Sequence, residues 1–523
     1  MSAPPGQIGT IVRTDLRLRL RRPATLWLVV ALSGLAYLMI PDPGSGKALM
    51  VVDGARALYT SQVIATTTAA LAGLLLTFVG FYLTSNALRR DQLARTGAII
   101  AATPVSSTRY LVGKWLGGSA YLGMVGFFYL LNVMALHFLR AEGAFEPFTY
   151  LLTYLVVLGP AVLVVAALAL CFECVPLLSG RLGDVGYFFL WTTLMVAGAV
   201  GSQGGGGSVL DVLGIGFVLQ LVNAATGAQS LSMGVTPFDP TLAPWILPPI
   251  RFAGGVLLPR LETAALAAPV LLVARLAFHR FDPARVRGRD QAAGGRLVPQ
   301  VSRLLTPLTR VVSRAGHALV SAAPATLRPV LSETVMTLCQ SPLVVLAWLG
   351  VVATTVVGTT ATVHHTLPLA VAVVLAITLA DLATRDRAAG TLSMLFSMPG
   401  VKEDYAWIKM GAATLLALFF FVPPALRIVF TAPDAALSLL VAAGFMGTLA
   451  TALGLLARTP KAFMGVFLLF LFLVLNGAQA PALDFAGWNG VATGSTRIGY
   501  LLATVLLAGL ASGKHRSDLR RER

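Results

Sequence analysis

Twelve runs of mostly apolar residues dominate this chain and leave little room for any architecture other than a bundle of membrane-crossing helices. An α-helix needs about 20 apolar residues to cross roughly 30 Å of hydrocarbon. In the first half the runs cover residues 24–40, 63–88, 115–138, 150–171, 185–201 and 263–278. In the second half they cover 343–363, 367–383, 410–430, 435–456, 462–475 and 498–512. Of the 523 residues, 56% are hydrophobic and 12% charged, and the mean hydropathy is +0.80. An average soluble domain carries about twice that charged share, so in water this chain would expose large apolar patches. Water-soluble and disordered folds are excluded. The expected fold class is an all-α polytopic membrane protein with about 12 transmembrane helices in two six-helix halves.

The net charge of +17 is read as topology rather than as nucleic-acid binding, because basic loops stay on the cytoplasmic side. With the amino terminus inside, the inner loops hold Arg89, Arg90 and Arg95; Arg181; Arg385, Arg387, Lys402 and Lys409; and Arg458 and Lys461. The stretch from Arg275 to Arg328 carries ten arginines, and the tail from Lys514 to Arg523 carries five basic residues. The expected localisation is therefore the inner (plasma) membrane, multi-pass, with both termini cytoplasmic. Five arginines (Arg13, Arg17, Arg19, Arg21 and Arg22) precede the first run, and no small-residue cleavage pattern follows it. That predicts a retained first helix and a mature chain starting near Met1. Three cysteines, Cys171, Cys174 and Cys339, form no disulfide framework. Residues 209–233 are apolar but interrupted by Asp211, Asn223 and glycines, and a thirteenth crossing there would put the ten-arginine stretch outside. They are expected to form half-helices or a re-entrant segment, in an outer-face cap with Gly204 to Gly207 and Pro237 to Pro259.

The loop after the second run of each half aligns without a gap at an offset of 295 residues. Arg90 matches Arg385, Asp91 matches Asp386, Thr96 matches Thr391, Pro104 matches Pro399, Tyr110 matches Tyr405 and Lys114 matches Lys409. A second echo precedes each half's first run. Residues 15–23 and 333–342 each open on an acid, Asp15 or Glu333, and end on a proline at the start of a helix. Alternating Arg17, Arg19, Arg21 and Arg22 with Leu16, Leu18 and Leu20 can also lay the first copy along lipid headgroups.

These residues resemble the membrane subunits of ABC-2 type transporters, in which an amphipathic elbow helix precedes the first span and a coupling helix follows the second. The closer match is Arg385-Asp386-Arg387-Ala388-Ala389-Gly390-Thr391-Leu392-Ser393-Met394-Leu395-Phe396-Ser397-Met398-Pro399, similar to the family's charged pair, Gly-Thr-Leu and proline. The first-half copy departs from it, with Arg95 where Gly is expected and Gly97 where Leu is expected. The resemblance implies a first half over 1–280 (elbow 11–23, coupling helix 90–104, cap 203–260), an Arg-rich cytoplasmic linker over 281–330, and a second half over 331–523 (elbow 332–342, coupling helix 385–399). Family members with six spans pair as dimers, so this chain resembles a fused pair. The implied coupling residues are Arg90, Asp91, Thr96, Pro104, Arg385, Asp386, Arg387, Gly390, Thr391, Leu392, Leu395 and Pro399. Leu392, Leu395 and Phe396, and less regularly Leu93, Ile99 and Ile100, would present an apolar face to a motor domain, and Arg385, Asp386 and Arg387 would pair with its charges. Charge reversal at Arg385 and Asp386 is then expected to uncouple the motor while leaving the chain folded, with reversal at Arg90 and Asp91 better tolerated.

No GxxxxGK[ST] phosphate loop occurs. Gly44-Ser45-Gly46-Lys47 is followed by Ala48 and lacks the earlier glycine. ATP and Mg are therefore expected on a separate ATP-binding subunit, in two copies, with no cofactor, metal or catalytic residue on this chain. Export follows from the resemblance, and a lipid, a hydrophobic peptide or a drug suits the uncharged path. The alternative is a 12-helix secondary transporter of the major facilitator type driven by an ion gradient. Asp381 and Arg385 invite it, but Gly390 lies nine residues after Asp381 instead of about three, and the spans have almost none of the mid-membrane ionisable groups such coupling uses. An embedded enzyme lacks a cluster. Cys171-Phe172-Glu173-Cys174 closes a run before Pro176, which suits helix-end packing more than thioredoxin chemistry. His364-His365 is weak as a metal site, and Pro423-Pro424 is expected to kink its helix.

Overall fold

The computed structural model describes residues 6–21, 23–94, 96–201, 209–228, 230–250, 252, 254–281, 306–477 and 479–521. Arg95, Gly204 to Gly207 and five of the ten arginines between Arg275 and Arg328 lie outside the described residues. Contacts divide the chain into two compact units, Met1–Ala293 and Gly294–Arg523.

The first unit runs α1 (Gln7–Leu20), α2 (Pro23–Met39), β1 (Lys47–Val52), β2 (Ala55–Arg56), α3 (Ser61–Thr84), α4 (Ala87–Leu93), α5 (Thr96–Ala102), α6 (Ser107–Arg140), α7 (Pro147–Cys174), α8 (Arg181–Gly201), α9 (Ile215–Thr226), β3 (Leu231–Pro237), α10 (Gly254–Ala265) and α11 (Ala267–Ala277). The second runs α12 (Thr306–Ala322), α13 (Arg328–Gln340), α14 (Pro342–Val357), α15 (Leu367–Leu379), α16 (Arg385–Ala389), α17 (Leu392–Phe396), α18 (Val401–Ile428), α19 (Pro433–Ala457), α20 (Pro460–Asn476) and α21 (Gly494–Arg521).

Each apolar run falls on helix, and the architecture is that of a polytopic helical membrane protein. Among the described residues nine helices are long and apolar enough to cross a membrane, and a tenth span arises if the bent pair α13–α14 counts as one. The shortfall from twelve has a geometric cause. Helices α2 and α20 have 17 residues each, about 25 Å at 1.5 Å per residue, and α13 turns through 94° before α14. Pro423 and Pro424 sit inside α18, which continues through both.

The boundaries shift in several places. The segments expected as elbows fall on the helices α1 and α13, each starting a few residues earlier than expected. α1 packs along α6, with Ile11 over Gly113 and Asp15 over Gly117, and α13 packs along α18, with Val330 over Gly411. The expected coupling helices are each two short helices, α4–α5 and α16–α17. The expected linker over 281–330 is helical in its later part, where α12 stacks on α13.

A small three-stranded sheet of order β2-β1-β3 accompanies the helices. Asp53 and Gly54 both adopt positive φ, which a two-residue hairpin turn requires, and β3 pairs antiparallel with β1 from the far side. Arg56 grips Glu142 through two 2.8 Å bonds, and Glu142 also accepts the Tyr59 amide. The sheet is thereby tied to the turn between α6 and α7.

Residues 209–233 do not span, as expected. The chain at Leu213 presses against the middle of α3, where a Cβ on Gly73 would lie 2.2 Å from the Leu213 carbonyl oxygen. From there α9, only 12 residues long, leads to β3 beside the sheet that precedes α3. The segment thus runs from the middle of α3 back to the sheet beside its start.

Candidate functional site

Five of the six residues that match between the halves are the framework of a charge cluster that recurs in each unit. Charged groups removed from water must find partners, and here the loop, the elbow and the third span supply them to one another.

In the first unit the Asp15 carboxylate, on α1, accepts Arg19 Nε at 2.6 Å and Arg90 Nη2 at 2.6 Å, and lies 3.4 Å from Lys114 Nζ. Lys114, on α6, bridges onward to Asp91 Oδ2 at 2.8 Å. The Tyr110 hydroxyl donates to the same oxygen at 2.6 Å, and the Lys114 ammonium lies 5.7 Å from the Tyr110 ring centre. Thr96 closes the loop by donating to the Asp91 carbonyl at 3.0 Å. In the second unit Glu333, on α13, binds Arg385 and Lys409. Lys409, on α18, reaches Asp386 Oδ2 at 2.6 Å, and the Tyr405 hydroxyl donates there at 2.9 Å. Lys409 lies 5.3 Å from the Tyr405 ring centre, and Thr391 donates to the Asp386 carbonyl at 3.3 Å.

Five of the six matched positions make equivalent contacts in both units; Pro104 and Pro399 are exposed. Arg90, Asp91, Arg385 and Asp386 each pair with charged groups of their own unit. Reversing Arg385 and Asp386 would break a buried network, so the expectation that it leaves the chain folded does not stand. Nor does Arg19 lie on headgroups, since it is buried against Asp15 and donates to the carbonyls of Leu83 and Thr84.

The clusters differ at that arginine. Four residues after Asp15 stands Arg19, whereas four after Glu333 stands Thr337, whose hydroxyl bonds the Glu333 carbonyl. The first cluster holds three cations on two acids, and the second holds two on two. Burial alone would raise the Asp15 carboxyl, yet Arg19, Lys114 and Arg90 together hold it below its ordinary value. A depressed carboxylate stabilises the fold at every pH above its unfolded value and stops doing so as pH falls through the folded one. Unfolding midpoints of the purified protein should thus stay level from neutral pH down to about 4 and fall below it. The decline should be shallower in Asp15→Asn, measured as a pH series of thermal unfolding in detergent.

Each loop is also held by the far end of its unit. In the first, Tyr110 stacks on Phe278 at 5.7 Å, Phe281 covers Gly97, and Arg280 donates to the Thr103 carbonyl. In the second, His515 of α21 lies 5.6 Å from the Tyr405 ring and 6.0 Å from Phe396, and Asp518 pairs with Arg458. Leu392, Leu395 and Phe396 are half-buried, Phe396 against Tyr405 and His515 of its own unit. The exposed side of this loop carries Arg387, Gly390, Thr391, Met394 (76% exposed) and Met398 (54%). In the first loop Ile99 is 67% exposed.

The remaining candidates have structural partners. Cys171 and Cys174 are buried in an apolar cluster with Leu88, Leu111 and Phe278, and Glu173 caps α4 by accepting the amides of Ala87 and Leu88. His364 and His365 bond the carbonyls of Gly487 and Trp488. Gly44 to Lys47 leads into a strand, where a phosphate loop would open a helix.

One site escaped the sequence reading, which held the spans nearly free of ionisable groups. Arg260, 3% exposed, lies within the membrane-long helix Leu257–Ala277. It donates to the carbonyls of Val156, Val157 and Asp211, and the Asp211 carboxylate accepts the amides of Gly214 and Phe217 at the start of α9. Pro160 inside α7 has no N–H to give the Val156 carbonyl, so Arg260 supplies the missing donor. Gly214 has φ +81, and a Cβ there would lie 2.8 Å from Val157. The signal was a lone arginine after Pro259, facing a run that contains Pro160.

No protein family, curated protein or solved structure matches the chain.

Proposed function

We propose that this chain is the membrane permease of an ABC-2 type transporter, an exporter built from two duplicated six-span halves and driven by two separate ATP-binding subunits at the cytoplasmic face. The observation that carries the reading is the recurrence of one buried cluster beneath the same loop in both units. A loop that transmits movement must be rigid with respect to the helices it moves. The cluster joins the loop to the elbow and to the third span at once, so a push on the exposed tip is delivered to both. ATP binding would bring the motor domains together, and each loop would convey that movement to the spans of its own unit. The uncharged span surfaces suit a lipid, a hydrophobic peptide or a drug as cargo.

In this reading the contact surface is the loop's exposed tip. Methionine side chains adapt to a partner's groove and are enriched at interfaces. Met394→Glu with Met398→Glu should weaken capture of the ATPase at least about tenfold, or about 1.4 kcal/mol. Both side chains are exposed, so the unfolding midpoint should stay within the wild-type range. The check is a mild-detergent pull-down from native membranes, with mass spectrometry and ATPase assay of what co-purifies at near-stoichiometric amounts. A phosphate-loop partner that the wild type retains and the double variant loses supports the reading. A chain that purifies alone under conditions where such complexes survive overturns it.

A secondary transporter of the major facilitator type is favoured by one observation, the ionisable pair Arg260 and Asp211 buried at membrane depth. Its donors are committed to backbone oxygens, which suits a latch better than an ion site. Flux that follows an ion gradient and stops in Asp211→Asn would favour that second reading.

A further inference from the structure

Helix α12 lies in the segment expected to be a plain linker, and it divides into three stripes about 120° apart at 100° per residue. Gly316 faces α13, where a Cβ would lie 2.5 Å from Val335, and Val312 and Val320 flank it, half-buried. A second stripe, Val311, Ala315, Ala318 and Leu319, is apolar and exposed, with Val311 at 65% and Leu319 at 56%. The third, Arg310, Arg314, His317 and Ser321, is polar and exposed. No described side chain of this unit covers the apolar stripe, which borders directly on the arginines.

We propose that α12 lies in the lipid–water interface, with Val311 and Leu319 at the acyl-chain boundary and Arg310 and Arg314 on anionic headgroups. Two observations choose lipid as the occupant. The first is continuity: α13 turns through 94° into the membrane-entering helix α14, so α13 runs along the bilayer surface. α12 packs on α13 and touches α14, with Ser313 hydrogen-bonding Cys339 one turn before α14 begins. α12 is therefore held at the height where α14 enters lipid. The second is charge: the exposed rim beside the apolar stripe carries arginines and no acid, the composition of an interfacial helix that reads negative surface charge. The inference rests on the membrane reading alone and does not require the chain to be a transporter.

The test uses the full chain in nanodiscs, with an environment-sensitive nitrobenzoxadiazole fluorophore on a single introduced cysteine in a Cys339→Ser background; Cys171 and Cys174 are buried. Val311→Cys and Leu319→Cys should give blue-shifted emission quenched at least twofold by brominated-chain lipids, and Ser321→Cys should give water-like emission with little quenching. Quenching at the first two positions should be stronger with phosphatidylglycerol than with phosphatidylcholine alone. That difference should vanish on Arg310→Glu with Arg314→Glu, both exposed and hence free of folding cost. Water-like emission at Val311 and Leu319 in both lipids overturns the proposal. So does blue-shifted emission without lipid quenching, which would mean that protein covers the stripe. Neither readout involves an ATPase, so failure here leaves the proposed function standing, and failure of the pull-down leaves this intact.

Discussion

Replacing Lys409 by methionine is expected to destabilise the second unit by about 3–5 kcal/mol, the largest single effect at either charge cluster. The ammonium, 2% exposed on its side chain, lies between Glu333 and Asp386. Methionine fills much of the volume but leaves two carboxylates facing one another across a dry site. Arg385 still reaches Glu333, whereas Asp386 is left with the Tyr405 hydroxyl and the partial neutralisation that a phenol can give. Lys114→Met in the first unit likewise leaves Asp91 with only the Tyr110 hydroxyl but should cost less, about 1–3 kcal/mol, because Arg19 and Arg90 both remain on Asp15. Thermal unfolding of the two variants in the same detergent checks the ordering. Equal losses would mean that Arg19 contributes nothing and that the clusters are energetically identical. Asp386→Asn added to Lys409→Met should restore part of the loss, since it removes the stranded charge; a further drop would show that the network acts through hydrogen bonds rather than charge.

The same cluster shows what a sequence can and cannot say about such a chain. Apolar runs were legible because lipid demands long uninterrupted helices, and each run falls on helix. The matched residues at an offset of 295 were legible as a pattern, and the acids Asp15 and Glu333 as an echo before each half. What the pattern was for could not be read, because a charged residue in a short loop looks the same whether it faces water or its own elbow. Only the distance from Asp91 to Lys114, 23 residues along the chain and 2.8 Å in space, decides it. Leu392, Leu395 and Phe396 pose the same question: helical spacing marks an apolar face but does not say how much of it a partner covers and how much the chain's own His515, which lies 6.0 Å from Phe396. The sheet was missed although Asp53-Gly54 is a hairpin signal, since strands of six and two residues leave little trace beside long apolar runs. Arg260 was missed because it precedes its run by three residues and was counted with the cap.

That arginine supports the second large prediction. Arg260→Met should destabilise the first unit by about 3–5 kcal/mol, because it strands the Asp211 carboxylate and removes the donor from two carbonyls of α7 at once. The two losses can be separated. Pro160→Ala returns an N–H at the position from which a regular helix would bond the Val156 carbonyl, and thus makes part of Arg260's work unnecessary. Alone, Pro160→Ala should be nearly neutral, since Arg260 already satisfies that oxygen. In combination with Arg260→Met it should recover about 1–2 kcal/mol, and adding Asp211→Asn should recover more by removing the buried charge. The measurement is a double-mutant cycle on unfolding midpoints. A coupling near zero between positions 160 and 260 would show that the guanidinium is held by Asp211 alone and that the carbonyls freed by Pro160 find their donors elsewhere. A favourable coupling would identify the bend in α7, the re-entrant start of α9 and the arginine as one structural unit. The irregular backbone at membrane depth would then be tolerated because one side chain satisfies both of its breaks.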